Sequence, residues 1–61
     1  MDLTTKEIVT KMKLDAEEMV RDYEVHSKKV NDSEVADLFK TFAEESGYQA
    51  ARLNKILEEK F

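Results

Sequence analysis

The stretch DSEVADLFKTFAEESGYQA, residues 32–50, determines the fold expected for this chain. From within this stretch to just beyond it, side chains recur at steps of three and four residues, the spacing of one α-helical face: Val35, Phe39, Phe42, Ser46, Gln49 and Leu53. Four of these side chains are apolar, whereas Ser46 and Gln49 are polar and lie mid-helix. The stretch therefore predicts an amphipathic helix whose apolar face is interrupted at its centre.

A preceding helix is predicted from about residue 4 to residue 30. Thr4 and Glu7 have the spacing of a capping box, in which a hydroxyl and a carboxylate satisfy free N–H groups at a helix start. A stripe at helical spacing follows and predicts the buried face of this helix: Ile8, Met12, Ala16, Met19, Tyr23, His26 and Val30.

The turn between the helices is predicted at residues 31–33, where a polar run ends the first stripe. Asn31 belongs to the residue types that tolerate the left-handed conformation at a helix end, and Asp32 is suited to cap the next helix, predicted at about residues 33–60. Two helices of similar length joined by a short turn form an antiparallel hairpin. We therefore expect residues 1–61 to form a single all-α domain.

The hairpin is expected to pair with a second copy. At 100° per residue the apolar face of the second helix is about 140° wide, which is more than one neighbouring helix covers. Two helices meeting along one seam also bury too little apolar surface to offset a conformational entropy of about 1.5 kcal/mol per ordered residue. A homodimer forming a four-helix bundle solves both problems. We predict its core at Phe39, Phe42, Leu53 and Ile56.

Composition narrows the functional classes. The formal net charge of −4 and the scattered basic residues argue against a nucleic-acid partner, because phosphate binding needs clustered Lys and Arg. The chain has no cysteine, so a disulfide and a thiolate metal cluster are both excluded. No apolar run is long enough for a membrane span or a signal peptide. We expect a cytoplasmic protein with no membrane partner.

A tyrosine late in the first helix, Tyr23, precedes the polar turn at residues 31–34, and two clusters follow in the second helix, Leu-Phe at 38–39 and Phe-Ala-Glu-Glu at 42–45. Over residues 16–53 this arrangement resembles, without a gap, the rubrerythrin branch of the ferritin-like family. The resemblance implies a helical hairpin that forms half of a ferritin-like four-helix bundle.

The same resemblance implies where a metal site would lie. Each hairpin of that family supplies a glutamate seven residues before the tyrosine and a Glu-x-x-His pair on the second helix, which form half of a di-iron site. This chain has Ala16, Ser46 and Gln49 at those positions, and none of them can bind iron as the family's ligands do. We therefore expect no metal and no cofactor there, and we expect Ser46 and Gln49 to hydrogen-bond each other or their copies.

Gly47 lies inside the second helix, where a glycine costs about 1 kcal/mol relative to alanine. Two explanations are open. Gly47 and the small residues near it indicate a close approach of the two helices, or the glycine occupies space vacated by a lost metal site.

Two functional hypotheses follow. The first is a non-catalytic structural or protein-interaction module built as a homodimeric ferritin-like bundle, with the outward-facing Leu14, Val25 and Tyr48 as candidate contacts for a protein partner. The second is a residual metal-binding or redox protein with a rearranged site.

That rearranged site would use Asp22 and His26, one helical turn apart, together with Asp15 or Glu45. The chain has a single histidine. The simpler interpretation is that His26 is a half-buried residue near the turn, hydrogen-bonded to Asp22, and is not a metal ligand. We therefore prefer the first hypothesis.

Overall fold

A computed structural model describes residues 2–61, which form two antiparallel helices packed against each other, α1 (Thr5–Ser27) and α2 (Ser33–Lys60). The molecule measures 43 × 25 × 12 Å. Its long dimension matches the 28 residues of α2 at about 1.5 Å per residue, and its thickness equals that of one helix with side chains. The predicted all-α helical hairpin is therefore confirmed, and the hairpin is a single layer with two open broad faces.

The start of α1 has the predicted capping box. The Glu7 backbone N–H donates to Thr4 Oγ1 at 3.1 Å, and the Thr4 backbone N–H donates to Glu7 Oε1 at 3.0 Å. Two hydrogen bonds with Thr4 lower the pKa of the Glu7 carboxyl group. The larger effect comes from the Thr4 backbone and the smaller one from the Thr4 side chain. The cap is thus fully formed above the ordinary glutamate pKa and weakens as the pH falls through the lowered value.

Helix α1 ends at Ser27, three residues before the predicted end. The last turn tightens there, because the Lys28 N–H bonds the Val25 carbonyl at 3.3 Å, and the buried Ser27 hydroxyl bonds the Glu24 carbonyl at 2.7 Å. Within residues 2–61 no residue has a positive φ, so Asn31 does not adopt the left-handed conformation expected of it.

The start of α2 agrees with the sequence-based prediction. Asp32 has an extended backbone (φ −128°, ψ 119°), and its Oδ1 accepts a hydrogen bond from the Val35 N–H at 3.1 Å. This is the arrangement of an N-cap residue. The chain reverses over residues 28–32, which allows α2 to return along α1.

The seam between the helices uses a different face of α1 from the predicted one. Every residue of a regular stripe that runs along α1 and into the segment after it is buried or half-buried: Val9, Lys13, Ala16, Val20, Tyr23, Ser27 and Val30. It packs against a matching stripe on α2: Ala36, Phe39, Ala43, Ser46, Ala50, Leu53 and Leu57. The predicted stripe was wrong for Ile8, Met12 and Met19, which are 48, 49 and 38% exposed, and for the exposed His26. Only its members Ala16, Tyr23 and Val30 belong to the seam.

Small side chains explain this choice of face. The buried apolar residues are Ala16, Ala43 and Ala50, the buried polar ones are Ser27 and Ser46, and no large side chain of residues 2–61 is completely buried. The separation of two packed helices depends on the side chains between them, so alanine and serine allow a close contact. Helix α1 therefore buries Ala16 and Ser27 most deeply against α2 and leaves Ile8, Met12 and Met19 to one side.

Gly47 is not required by this packing. A Cβ atom at position 47 would have Val20 Cγ2 as its nearest neighbour, at 3.9 Å, which is an ordinary van der Waals distance. The close approach considered from the sequence is therefore not present at this residue.

We expect Gly47→Ala to stabilise the protein by about 0.5–1 kcal/mol, because alanine restricts the unfolded chain and adds a contact without a clash. Thermal unfolding of the variant checks this. Ala51→Gly, a change of the opposite sense at an exposed position one turn away, should lower the melting temperature. A destabilised Gly47→Ala variant would show that something approaches Gly47 more closely than Val20 does.

Candidate functional site

One broad side of the hairpin carries apolar side chains that no other part of residues 2–61 fully covers. We call it the open face and define it by six residues: Ile8, Met12 and Met19 on α1, and Leu38, Phe42 and Ile56 on α2. Five of them are 38–49% exposed, and Phe42 is half-buried. They recur at steps of four, seven and fourteen residues, so each set follows one flank of its helix.

Two shallow grooves show that both sets lie on the same side. Met19, Tyr23 and His26 of α1 line one groove together with Phe39 of α2. Val20 and Glu24 line the other, across the seam from Lys40 and Glu44. The Met19 flank of α1 therefore adjoins the Phe39 and Phe42 flank of α2, and charged side chains lie on the opposite side of the hairpin.

Three aromatic rings join the open face to the seam. The Tyr23 ring packs against Phe39 and Phe42 with centroid separations of 5.5 and 5.4 Å and an interplanar angle of 57° in both pairs. Tilted pairs at this distance are favourable beyond the area that they bury. Tyr23 therefore fixes the position of Phe42, whose outer surface belongs to the open face.

The area of the molecule shows that the single hairpin is more open than a globular protein of its mass. The chain exposes 5086 Å². A compact globular protein of 7.1 kDa exposes about 4,100 Å² by the usual scaling of area with mass. The excess of about 1,000 Å² is close to the 800 Å² or so that each partner contributes to a standard protein interface.

The four residues predicted for the dimer core differ in their exposure within the single chain. Phe39, Phe42 and Leu53 are half-buried by the hairpin itself, whereas Ile56 is 41% exposed on the open face. Their role in a dimer therefore stays a prediction.

The three positions where the resemblance implies iron ligands lie within about one helical turn of each other along the hairpin. Ala16 and Ser46 are both buried in the seam at 8% exposure, and Gln49 is exposed on the α2 flank of the open face. Tyr23 of α1 contacts Phe42 of α2, and the two helices run in opposite directions. Ala16 lies seven residues before Tyr23 and Gln49 seven residues after Phe42, so Ala16 and Gln49 are at the same height along the hairpin. A methyl, a hydroxyl and an amide thus stand where the resemblance implies two carboxylates and an imidazole.

His26 and Asp22 lie at the edge of the open face and are both exposed. No hydrogen bond between them forms in the described part of the chain, so the expectation of a half-buried His26 bonded to Asp22 was wrong. Asp22 and His26 are one helical turn apart, and both side chains are exposed. Residues 2–61 also contain no group of three or more acidic, histidine or cysteine side chains placed to hold one metal ion.

The candidate partner contacts on the outside of the hairpin do not form one surface. Leu14 and Val25 on α1 are 57 and 43% exposed, and Tyr48 on α2 is 74% exposed. Leu14 shares a shallow groove with Leu3 and charged residues of its own helix, whereas Tyr48 lies beside Glu44 and Ala51. These are separate apolar side chains on a charged surface, and isolated exposed apolar residues of this kind are normal in folded proteins.

Neither helix within residues 2–61 has the length and apolar character needed to cross a bilayer. A scan against protein-family models finds no matching model, and searches of curated proteins and of solved structures find no significant match.

Proposed function

We propose that this chain is a non-catalytic structural or protein-interaction module, which forms a homodimeric four-helix bundle of ferritin-like type without a di-iron site. The observation that carries the proposal is the open face. It is formed by both helices and is mainly apolar, with Gln49 between Phe42 and Ile56, and the hairpin as a whole exposes about 1,000 Å² more polar and apolar surface than a compact protein of its mass. Large apolar side chains gathered on one side of a protein in this way mark interaction surfaces.

A second copy is the partner whose chemistry fits this face. The face is long, flat and formed by two antiparallel helices, so an identical face covers it along its whole length. In the resulting bundle the apolar flanks of four helices meet in one core. Met12, Met19, Phe42 and Ile56 then become core residues.

We propose a non-catalytic module because of the residues at the positions where the resemblance implies metal ligands. Ala16, Ser46 and Gln49 offer no anionic ligand, and a divalent ion beside neutral groups in an apolar core would cost many kcal/mol. In the proposed dimer, Gln49 faces its own copy, where two amides can donate to and accept from each other.

Thermal unfolding at several protein concentrations tests the assembly. A dimer that unfolds to separate chains gains stability with concentration, so the melting temperature should rise over the micromolar range. A melting temperature independent of concentration, together with the mass of a single chain, would refute the proposal.

Elemental analysis of protein expressed with added iron and manganese tests the lack of a metal site. We expect less than stoichiometric metal. Stoichiometric metal that disappears in Gln49→Ala would contradict this expectation at the family's position, whereas metal lost only in His26→Ala would favour a rearranged site around Asp22 and His26.

The triple variant Ala16→Glu, Ser46→Glu, Gln49→His tests the ferritin-like register. It restores the two carboxylates and the imidazole within about one helical turn along the hairpin, so a dimer should offer two such sets at its centre and bind iron. A variant that folds and dimerises but binds no iron would count against this register.

A further inference from the structure

The sulfur atoms of the described residues all lie on the open face. Residues 2–61 contain two sulfur-bearing side chains, Met12 and Met19, since the chain has no cysteine and its third methionine is Met1. They lie two helical turns apart on one flank of α1 and are 49 and 38% exposed. We propose that Met12 and Met19 are a modification site, at which a peroxide forms methionine sulfoxide and thereby prevents the open face from pairing with a second copy. This inference rests on the proposed homodimer and adds its regulation.

The oxidation needs only the thioether and the peroxide. A sulfur lone pair attacks one peroxide oxygen, and the O–O bond breaks as the S–O bond forms. The proton of the transferred oxygen moves to the departing oxygen, which leaves as water or as an alcohol. Sulfur loses two electrons and the peroxide gains them, so the product is the sulfoxide and no further oxidant or reductant takes part.

The single hairpin leaves both thioethers open to a dissolved peroxide. Neither side chain is covered by the rest of residues 2–61, and the chain offers no cysteine thiolate to compete for the oxidant. In the proposed dimer the second copy covers the same two side chains. Assembly therefore protects the site, and dissociation exposes it.

A sulfoxide changes the open face from apolar to polar. It replaces a polarizable apolar group with a strong hydrogen-bond acceptor, which water solvates readily on the single hairpin. The other four members of the open face have hydrocarbon side chains without a donor: Ile8, Leu38, Phe42 and Ile56. The Gln49 amide pairs with its copy in the proposed dimer, so the sulfoxide oxygens would be buried without a partner. Oxidation therefore acts against the dimer and not against the hairpin.

The surroundings of the two sulfur atoms differ. Met19 lines a shallow groove with Tyr23 and His26, whose hydroxyl and imidazole groups can donate to its sulfoxide. The four side chains one turn away from Met12 carry no donor at neutral pH: Ile8, Val9, Asp15 and Ala16. Met12 is also the more exposed of the two. We therefore expect Met12 to be oxidised faster and its sulfoxide to weaken the dimer more.

Sedimentation before and after treatment with hydrogen peroxide tests the inference. Oxidation of both methionines should raise the dimer dissociation constant by about a hundredfold or more, because each chain brings two sulfoxides into the core. Cleavage after glutamate shows where oxygen has been added, since it places the three methionines in separate fragments, residues 1–7, 8–17 and 19–24. Fragment 8–17 should gain oxygen before fragment 19–24. Both should react more slowly as the protein concentration rises and the dimer forms.

Two variants separate the open face from oxidation in general. Leucine has nearly the volume of methionine, so Met12→Leu, Met19→Leu should dimerise within about threefold of the parent and should not respond to peroxide. Adding Leu14→Met to this variant moves the sulfur to the outside of α1, at a position that is 57% exposed. That triple variant should be oxidised and still dimerise unchanged.

Reduction gives a matched test on the parent chain. Methionine sulfoxide reductases for both sulfoxide epimers, with a dithiol as the electron donor, should return the oxidised protein to its original dissociation constant. A loss of dimer that persists after both fragments have lost their added oxygen would show that another lesion causes it and would overturn the inference.

The remaining outcomes separate the inference from the proposal beneath it. A parent protein that sediments as a single chain at every concentration overturns both. A parent dimer whose dissociation constant stays within about threefold after both methionines are oxidised overturns the inference and leaves the homodimer in place. The inference also fails if the dissociated chain takes up no oxygen at Met12 and Met19, or if oxidation dissociates the Leu14→Met variant as it does the parent.

Discussion

Replacing Phe42 with alanine is expected to lower the free energy of unfolding by about 3–5 kcal/mol, which is most of the stability of a small domain. Phe42 has two roles in the account. Its ring packs against Tyr23 at 5.4 Å in the hairpin, and its outer surface belongs to the open face. Truncation removes both contacts and leaves a cavity at the centre of the proposed bundle.

Chemical denaturation followed by circular dichroism measures this loss. Tyr48→Ala is the matched control, because it removes an aromatic side chain from the same helix at a position that is 74% exposed, and it should change stability by less than about 0.5 kcal/mol. If both variants melted within a few degrees of the parent, the apolar flank of α2 would have been assigned wrongly.

Ile56→Glu is expected to weaken self-association by about a hundredfold or more. Ile56 is 41% exposed in the hairpin, so a carboxylate there is readily solvated in the single chain. In the proposed dimer the same position is covered, and a buried carboxylate without a partner costs several kcal/mol. The substitution therefore acts on the assembly far more than on the hairpin.

Leu14→Glu is the matched control for this effect. Leu14 is 57% exposed and lies on the outside of α1, away from the open face. Analytical ultracentrifugation should show the Leu14→Glu variant associating as the parent does, while Ile56→Glu remains a single chain. Equal loss in both variants would mean that the association depends on net charge and not on the open face.

The sequence predicts most of the fold because its signals are local. The capping box at Thr4 and Glu7 and the Asp32 cap are hydrogen bonds within a few residues, so residue type and spacing are sufficient to place them. The α1 end is harder, since the tightened turn after Ser27 involves residues with no strong turn preference. Helix ends are set by such small differences.

The choice of seam could not be predicted from hydrophobicity. Ile8, Met12 and Met19 form a more apolar stripe than the heptad-spaced Val9, Lys13, Ala16 and Val20, yet the second stripe packs against α2. Alanine at positions 16, 43 and 50 is the signal that was available, because Ala43 and Ala50 lie seven residues apart on α2 and small residues on facing helices indicate close packing. The larger side chains then form the open face, which is the candidate site.

Sedimentation equilibrium of the unmodified protein across the micromolar range tests the central claim most directly. The account predicts a species of twice the 7.1 kDa chain mass that dissociates on dilution. A stable, fully helical species of 7.1 kDa at every concentration would contradict it, because the open face would then be stable in water without a partner.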